Sequence, residues 1–252
     1  MGRGPARGLP PRSCGRAVGG PVRNPRFHGI GSARPDPRRV GGVEGVTRAA
    51  SIERLCGLVA AGGGVVYPGE TLWGIGGDAR RLDVVARVRA VKGISGDRPF
   101  PVLVDSMERA LAVGGGEAPG FEALVRRFWP GGLTLAVPVS DPALAGASGP
   151  YGTVGLRLSA DPVATRLAGA AGGFLVSTSA NFTGSPPPTS LGEVDGRLLA
   201  LVDGWPDQDV LCRGVASTVL ELAGGNWVVR RAGAVSAAEL AEVVPGRLEP
   251  GK

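Results

Sequence analysis

The run GVVYPGETLWGIGGDARRLDVVARVRAVKGISGDR at 64–98 restricts the fold more than any other part of the chain. An apolar stretch at 64–67 is cut by Pro-Gly, a glycine-rich bend follows, and Val84, Val88 and Val91 then recur at i, i+4 and i+7 before Lys92-Gly93. That order is a short strand, a turn and an amphipathic helix, with Arg80, Arg87 and Arg89 lying off the apolar stripe. The same alternation continues along the chain. Ser51 opens a helix to about residue 61, residues 120–128 form another, and Asp161 caps a third over 162–170. Strands are expected at 101–104, 133–139, 153–158, 174–177, 198–202, 217–220 and 227–231. A Pro/Gly/Ser loop fills 140–152. Strands interleaved with helices make this an α/β domain with a mixed sheet.

Within this unit Lys92 stands out by composition. Of 28 lysines and arginines, only Lys92 and Lys252 are lysine. A lone internal lysine suits a site that wants a compact ammonium rather than a guanidinium fork. The same residue, in the last turn before Gly93, also suits the helix macrodipole.

Charge divides the chain unevenly. Residues 1–40 hold nine arginines and one acid, Asp36, for a net +8, whereas the other 212 residues carry −2. We therefore expect a disordered Arg/Pro/Gly-rich extension over 1–45, a folded domain over 46–245 and a short tail over 246–252. The extension lacks the apolar core of a secretory signal and the serines of a transit peptide. It reads as an extension of little function or a start codon set too early, with a nucleic-acid-binding arm as the second reading.

The chemistry open to the domain is narrow. The one histidine, His28, lies in the extension, so the domain has none, which excludes Ser-His-Asp and Cys-His catalysis. Cys14, Cys56 and Cys212 are odd in number and far apart, which argues against a disulfide framework and a zinc site and for a reducing, cytoplasmic setting. No apolar run reaches membrane-spanning length. What remains is Lys, Arg, Ser, Thr, Asn and backbone amide, groups that handle anions and phosphates. GIGGDA at 74–79 matches a dinucleotide fingerprint, but YPGETLW separates it from its strand and no acid follows at the required distance. There is no Walker A motif, and the Asn181-Phe-Thr183 sequon is incidental without a secretory route.

Seven ordered blocks carry a family likeness: YPGETLWG at 67–74, KGISGDRP at 92–99, FWPGGLT at 128–134, TVGLR at 153–157, STSAN at 177–181, STV at 217–219 and RAGA at 231–234. Together they make the chain resemble the YrdC/Sua5 family of L-threonylcarbamoyladenylate synthases, from about 51 to 244, in the short form without a further C-terminal domain. The resemblance implies a single twisted α/β domain with a concave basic cleft. It also implies a reaction in which the amine of L-threonine takes up bicarbonate to form a carbamate, whose oxygen attacks the α-phosphate of ATP. Pyrophosphate leaves, and other proteins use the product to modify adenosine 37 of tRNA. Mg²⁺ would accompany ATP without a protein-bound metal site, and the partners implied are ATP, threonine, bicarbonate and the downstream transfer proteins. Double-stranded RNA contact is implied as well.

Residue by residue, the resemblance implies that Thr71, Arg157, Ser179 and Ser217 hold threonine, with Arg157 taking its carboxylate. Lys92, Arg98, Thr153, Asn181, Thr189 and Arg231 would hold ATP, and Lys92, Ser179 and Asn181 would serve catalysis. Each also has a structural reading: Thr71, Thr153 and Ser217 as turn residues, Asn181 as a left-handed loop residue, Arg157 as a strand charge. The sequence departs from the family pattern at three places. Lys-x-Arg is Lys92-Gly93-Ile94, which removes a guanidinium near ATP; glycine stands at Gly69 for threonine and at Gly132 for a second proline. Ile94 and the basic extension favour an alternative reading, a divergent protein of this fold that binds RNA or a nucleotide without making the intermediate.

Overall fold

The computed structural model of the protein describes residues 48–94, 98–114, 118–149, 152–244 and 248–250. The expected extension over 1–45 lies outside the described residues, as does the 246–252 tail apart from 248–250. In chain order the elements are β1 (Ala49–Ala50), α1 (Ile52–Ala60), β2 (Val65–Tyr67), β3 (Gly74–Gly76), α2 (Leu82–Lys92), β4 (Pro101–Val104), α3 (Met107–Ala112), α4 (Phe121–Phe128), β5 (Leu133–Pro138) and β6 (Thr153–Leu158). There follow α5 (Pro162–Ala170), β7 (Phe174–Val176), β8 (Thr178–Ser179), α6 (Gly196–Leu199), β9 (Trp205–Pro206), β10 (Thr218–Ala223), β11 (Asn226–Arg231), α7 (Ala237–Ala241) and β12 (Glu249–Pro250).

Seven strands form the main sheet in the order β12-β11-β10-β5-β6-β4-β7, and β2-β3-β8 form a second sheet of three. The main sheet is mixed: β5 pairs antiparallel with β6 and parallel with β10, while β4 pairs parallel with β6 and antiparallel with β7. Strand alternation decides what each face carries. Val102, Val104, Leu133, Leu135, Val137, Val154, Leu156 and Leu220 point to one side. There they form the largest core with Phe121, Leu124 and Val125 of α4 and Leu240 of α7. On the opposite face of the same strands lie mostly small and polar residues that floor a cleft, while Leu103 of β4 also packs against α5. A second core seats α1 and α5 near β4, and a third gathers Trp73, Ile75, Val91, Leu198 and Cys212 around the small sheet.

Local signals explain the helix ends. Ser51 Oγ accepts from the Arg54 amide, and Asp161 Oδ1 accepts from the amides of Val163 and Ala164. Helix α2 stops at Gly93, which adopts φ 66° and ψ 31°, while the Ile94 amide returns to the Arg89 carbonyl at 3.0 Å. Two stretches differ from expectation. Residues 198–202 are not a strand: Asp195 caps the turn of α6, and Leu198 is buried from a helical position. Such a short apolar run has no period that separates strand from helix. A 3₁₀ turn at Pro142–Ala147, capped by Asp141, occupies part of the stretch expected as loop, and helix α3, capped by Ser106, lies in a stretch for which no element was expected. The GIGGDA run is a strand paired with β2, not a phosphate loop. Its glycines answer to packing, since a Cβ on Gly76 would lie 1.7 Å from the Val176 carbonyl oxygen.

Gly76 is thus where the two sheets meet most closely, and backbone on both sides leaves nothing to yield. Gly76→Ala is expected to destabilise the protein by about 3 kcal/mol or more, at the upper end of overpacking costs. Urea unfolding, with m unchanged, reads that loss.

Candidate functional site

The uncovered face of the main sheet and the edge of the small sheet enclose a cleft of about 500 Å³. Its floor is the alternating set Pro101 and Leu103, Thr153, Gly155 and Arg157, Thr134 and Ala136, then Ser217, Val219 and Glu221, with Arg231 beyond. From the small-sheet side Gly74, Thr178, Ser179 and Asn181 line it, together with Lys92 at the end of α2.

Lys92 is 5 % exposed, and its ammonium has only neutral acceptors. Nζ donates to the Ser179 carbonyl oxygen at 2.6 Å, to Asn181 Oδ1 at 3.0 Å and to Ser179 Oγ at 3.3 Å. Ser179 Oγ donates to Asn181 Oδ1, and Asn181 Nδ2 donates to the carbonyls of Phe182 and Ser185. The three side chains therefore hold one another. Burial, with the positive charge of Arg98 adding to it, pulls the Lys92 pKa down to about 8.

Arg231 is more exposed, but it too is held by neutral acceptors. Its Nε donates to the Ser217 carbonyl and an NH2 proton to Ser217 Oγ, which also shares a 2.9 Å hydrogen bond with Thr134. Burial, then Arg157 and Arg98, push the Arg231 pKa down. Among the described residues neither Lys92 nor Arg231 has a carboxylate within 4 Å.

Arg157 differs. It is ion-paired with Glu70, both side chains nearly buried at 10 % and 13 % exposure, and its Nε donates to the Gly131 carbonyl at 2.9 Å. Glu70 also accepts from Ser159 Oγ at 2.5 Å. Burial raises the Glu70 carboxyl, but Arg157 and Ser159 outweigh it and hold the pKa below the usual value. This pair fixes the guanidinium from behind, while Thr71 Oγ1 lies 3.4 Å from NH1 at the cleft side.

The structure gathers Thr71, Lys92, Arg98, Thr153, Arg157, Ser179, Asn181, Ser217 and Arg231 around one cleft. Thr189 is not among the lining residues: its amide and hydroxyl both donate to Glu193. Ile94 lines the cleft with an apolar side chain where the family pattern has arginine. Gly132 has a local reason, since a Cβ there would come within 2.6 Å of Ala234 Cβ. Sequence reasoning passed over Glu70, Thr134, Ser159, Glu221 and Arg230. For Thr134 and Glu221 the signal was present, because each sits two residues along its strand from another floor residue.

The family model described as "Telomere recombination", for Sua5, YciO and YrdC, matches residues 58–233. The chain is similar to the threonylcarbamoyl-AMP synthase of Halorhodospira halophila, 37 % identical over 163 residues, which is 63 % of this chain and 85 % of that one. It is also similar to the threonylcarbamoyl-AMP synthase of Bacillus subtilis, 32 % identical over 185 residues, 71 % of this chain and 52 % of that one. Among solved structures, P. abyssi Sua5 complexed with L-threonine superposes with a TM-score of 0.71 at 31 % identity, over 79 % of this chain and 58 % of that chain. The chain thus spans between half and three fifths of the length of the last two.

A buried ammonium without a counterion costs the folded state stability. Lys92→Met is expected to stabilise the protein by about 1–2 kcal/mol at pH 7. The gain holds below about pH 8 and fades toward 10.5, because there the wild-type folded protein has shed a proton that the unfolded chain still binds. Thermal unfolding of both proteins at pH 7 and 9.5 measures it.

Proposed function

This chain belongs to the Sua5/YciO/YrdC family, and from that premise we propose that it makes L-threonylcarbamoyl-AMP from L-threonine, bicarbonate and ATP in the cytoplasm. The observation that carries the reading is the buried Lys92 ammonium and the more exposed Arg231 guanidinium, both facing one cleft and, among the described residues, without a carboxylate partner, beside an arginine already steadied by Glu70. Such cations call for an anion. A triphosphate and a carbamate supply several.

The reaction fits a cleft with these groups. Threonine's amine and bicarbonate condense to a carbamate with loss of water; a carbamate oxygen then bonds to the α-phosphorus of ATP as the bond to pyrophosphate breaks. No enzyme nucleophile enters. The protein is asked for positioning and for positive charge where negative charge gathers. In this proposal Arg157 and Thr71 receive the threonine carboxylate, and Ser217 is steadied by Arg231 and Thr134. Lys92 and Arg231, with Arg98, face the phosphates, and Ser179 and Asn181 aim Lys92. The product would pass to proteins that transfer the threonylcarbamoyl group to tRNA.

Mg²⁺ usually accompanies ATP, but the residues present do not make a site for it. Among the described residues no group of three His, Cys, Asp or Glu is placed to hold a metal ion, and the one carboxylate lining the cleft, Glu221, is engaged by Arg230. The ion would be held by phosphate oxygens and water.

Pyrophosphate release by the purified protein tests the proposal. Release that needs threonine and bicarbonate, and that falls by about a hundred- to a thousandfold in Lys92→Ala, is expected for a preorganised charge acting on the transition state. Folded protein that binds ATP but releases no pyrophosphate would overturn the synthase reading. It would leave a nucleotide-binding relative, for which Ile94 in the cleft is the specific argument.

A further inference from the structure

One carboxylate sits among the cations of the cleft, and none of the roles above uses it. Glu221 lines the cleft from β10 with 18 % of its side chain exposed. Its Oε2 accepts from Arg230 Nε at 2.5 Å, so its charge is compensated from the rim. Its Oε1 accepts only a long contact from Thr153 Oγ1, at 3.3 Å, which leaves acceptor capacity turned toward the cleft.

The register shows what lies next to it. Pro101 pairs with Gly155, Gly155 with Ala136 and Ala136 with Glu221, and all four line the cleft. Across four strands the floor is therefore a proline, a bare backbone, a methyl group and then a carboxylate. It must stay flat, since a Cβ on Gly155 would come to 3.0 Å from Thr134 Cγ2. Two residues along each strand, about 6.6–6.8 Å away, the cationic row begins: Arg157 pairs with Leu103 and Val219 with Arg231.

A flat apolar floor one pleat from a cluster of cations matches a nucleotide lying with its phosphates on the cations and its nucleoside on the floor. A carboxylate at the nucleoside's edge would repel phosphate but accept from a neutral donor. The alternative use, as a metal ligand, is disfavoured because Arg230 already occupies Oε2.

We propose that Glu221 determines nucleotide specificity, its Oε1 accepting a hydrogen bond from a donor on the nucleoside half of the ligand, the exocyclic amine or the ribose 2′-hydroxyl. The proposal rests on the nucleotide reading above and names a discriminating residue for it.

The test is calorimetric binding of ATP, ITP and 2′-deoxy-ATP to the wild-type protein and to Glu221→Met, which keeps the length of the side chain without an acceptor. Glu221→Gln, which keeps an acceptor, serves as the graded control. Glu221→Met is expected to weaken ATP roughly ten- to a hundredfold, the range for a hydrogen bond to a charged group, and Glu221→Gln less. The penalty should vanish for one analogue: loss with ITP assigns the amine, and loss with 2′-deoxy-ATP assigns the ribose. A penalty equal for all three nucleotides, or none, overturns the proposal and leaves Glu221 a structural partner of Arg230. Wild-type protein that binds none of the three fails the nucleotide reading itself.

Discussion

The burial of the Lys92 ammonium among neutral acceptors is the constraint on which the site depends. A charge taken out of water without a counterion is held only if hydrogen bonds satisfy it, and here Ser179 and Asn181 do so at 2.6–3.3 Å. The helix end makes this possible. Gly93 turns the backbone at φ 66°, and Thr183 closes on the Lys92 carbonyl, so the lysine is anchored at its backbone as well as its tip. Arg231 repeats the arrangement across the cleft with Ser217. The buried Lys92 ammonium, kept apart from carboxylates, costs stability, and an incoming anion recovers it.

Arg157 completes the contrast. Its charge is balanced by Glu70, so it offers a fixed, partly neutralised donor edge rather than a bare charge. Among the described residues the cleft thus sets two balanced arginines, Arg157 with Glu70 and Arg230 with Glu221, against Lys92 and Arg231, which have no carboxylate partner. An amino-acid carboxylate and a polyphosphate have different needs, and this division meets both. Within the main sheet, alternation places Thr134, Thr153 and Arg157: residues facing one way fill the core, and their neighbours form the floor.

Much of this was legible in the chain. Strand 153–158 and helix 162–170 were readable because each has a clean period and a cap, and Lys92 stood out as a lone internal lysine. What stayed hidden was pairing across distance. Nothing local says that Glu70 will meet Arg157 or that Thr134 will share a hydrogen bond with Ser217. Residues 198–202 failed for the opposite reason, since a short apolar run fits either element and Asp195 decides it. The glycines of 74–79, set aside as a phosphate loop from the sequence, serve sheet packing at Gly76.

The central claim is that the cleft holds a cation waiting for an anion, and the most direct test is the titration of Lys92 itself. With Lys92 and Lys252 the only lysines, selective ¹⁵N labelling leaves two ammonium signals to follow by NMR. The account predicts that one titrates near 8 in the free protein and moves toward or beyond the ordinary lysine value of about 10.5 when ATP is bound. Two lysines that both titrate near 10.5, with no change on adding ATP, would contradict it.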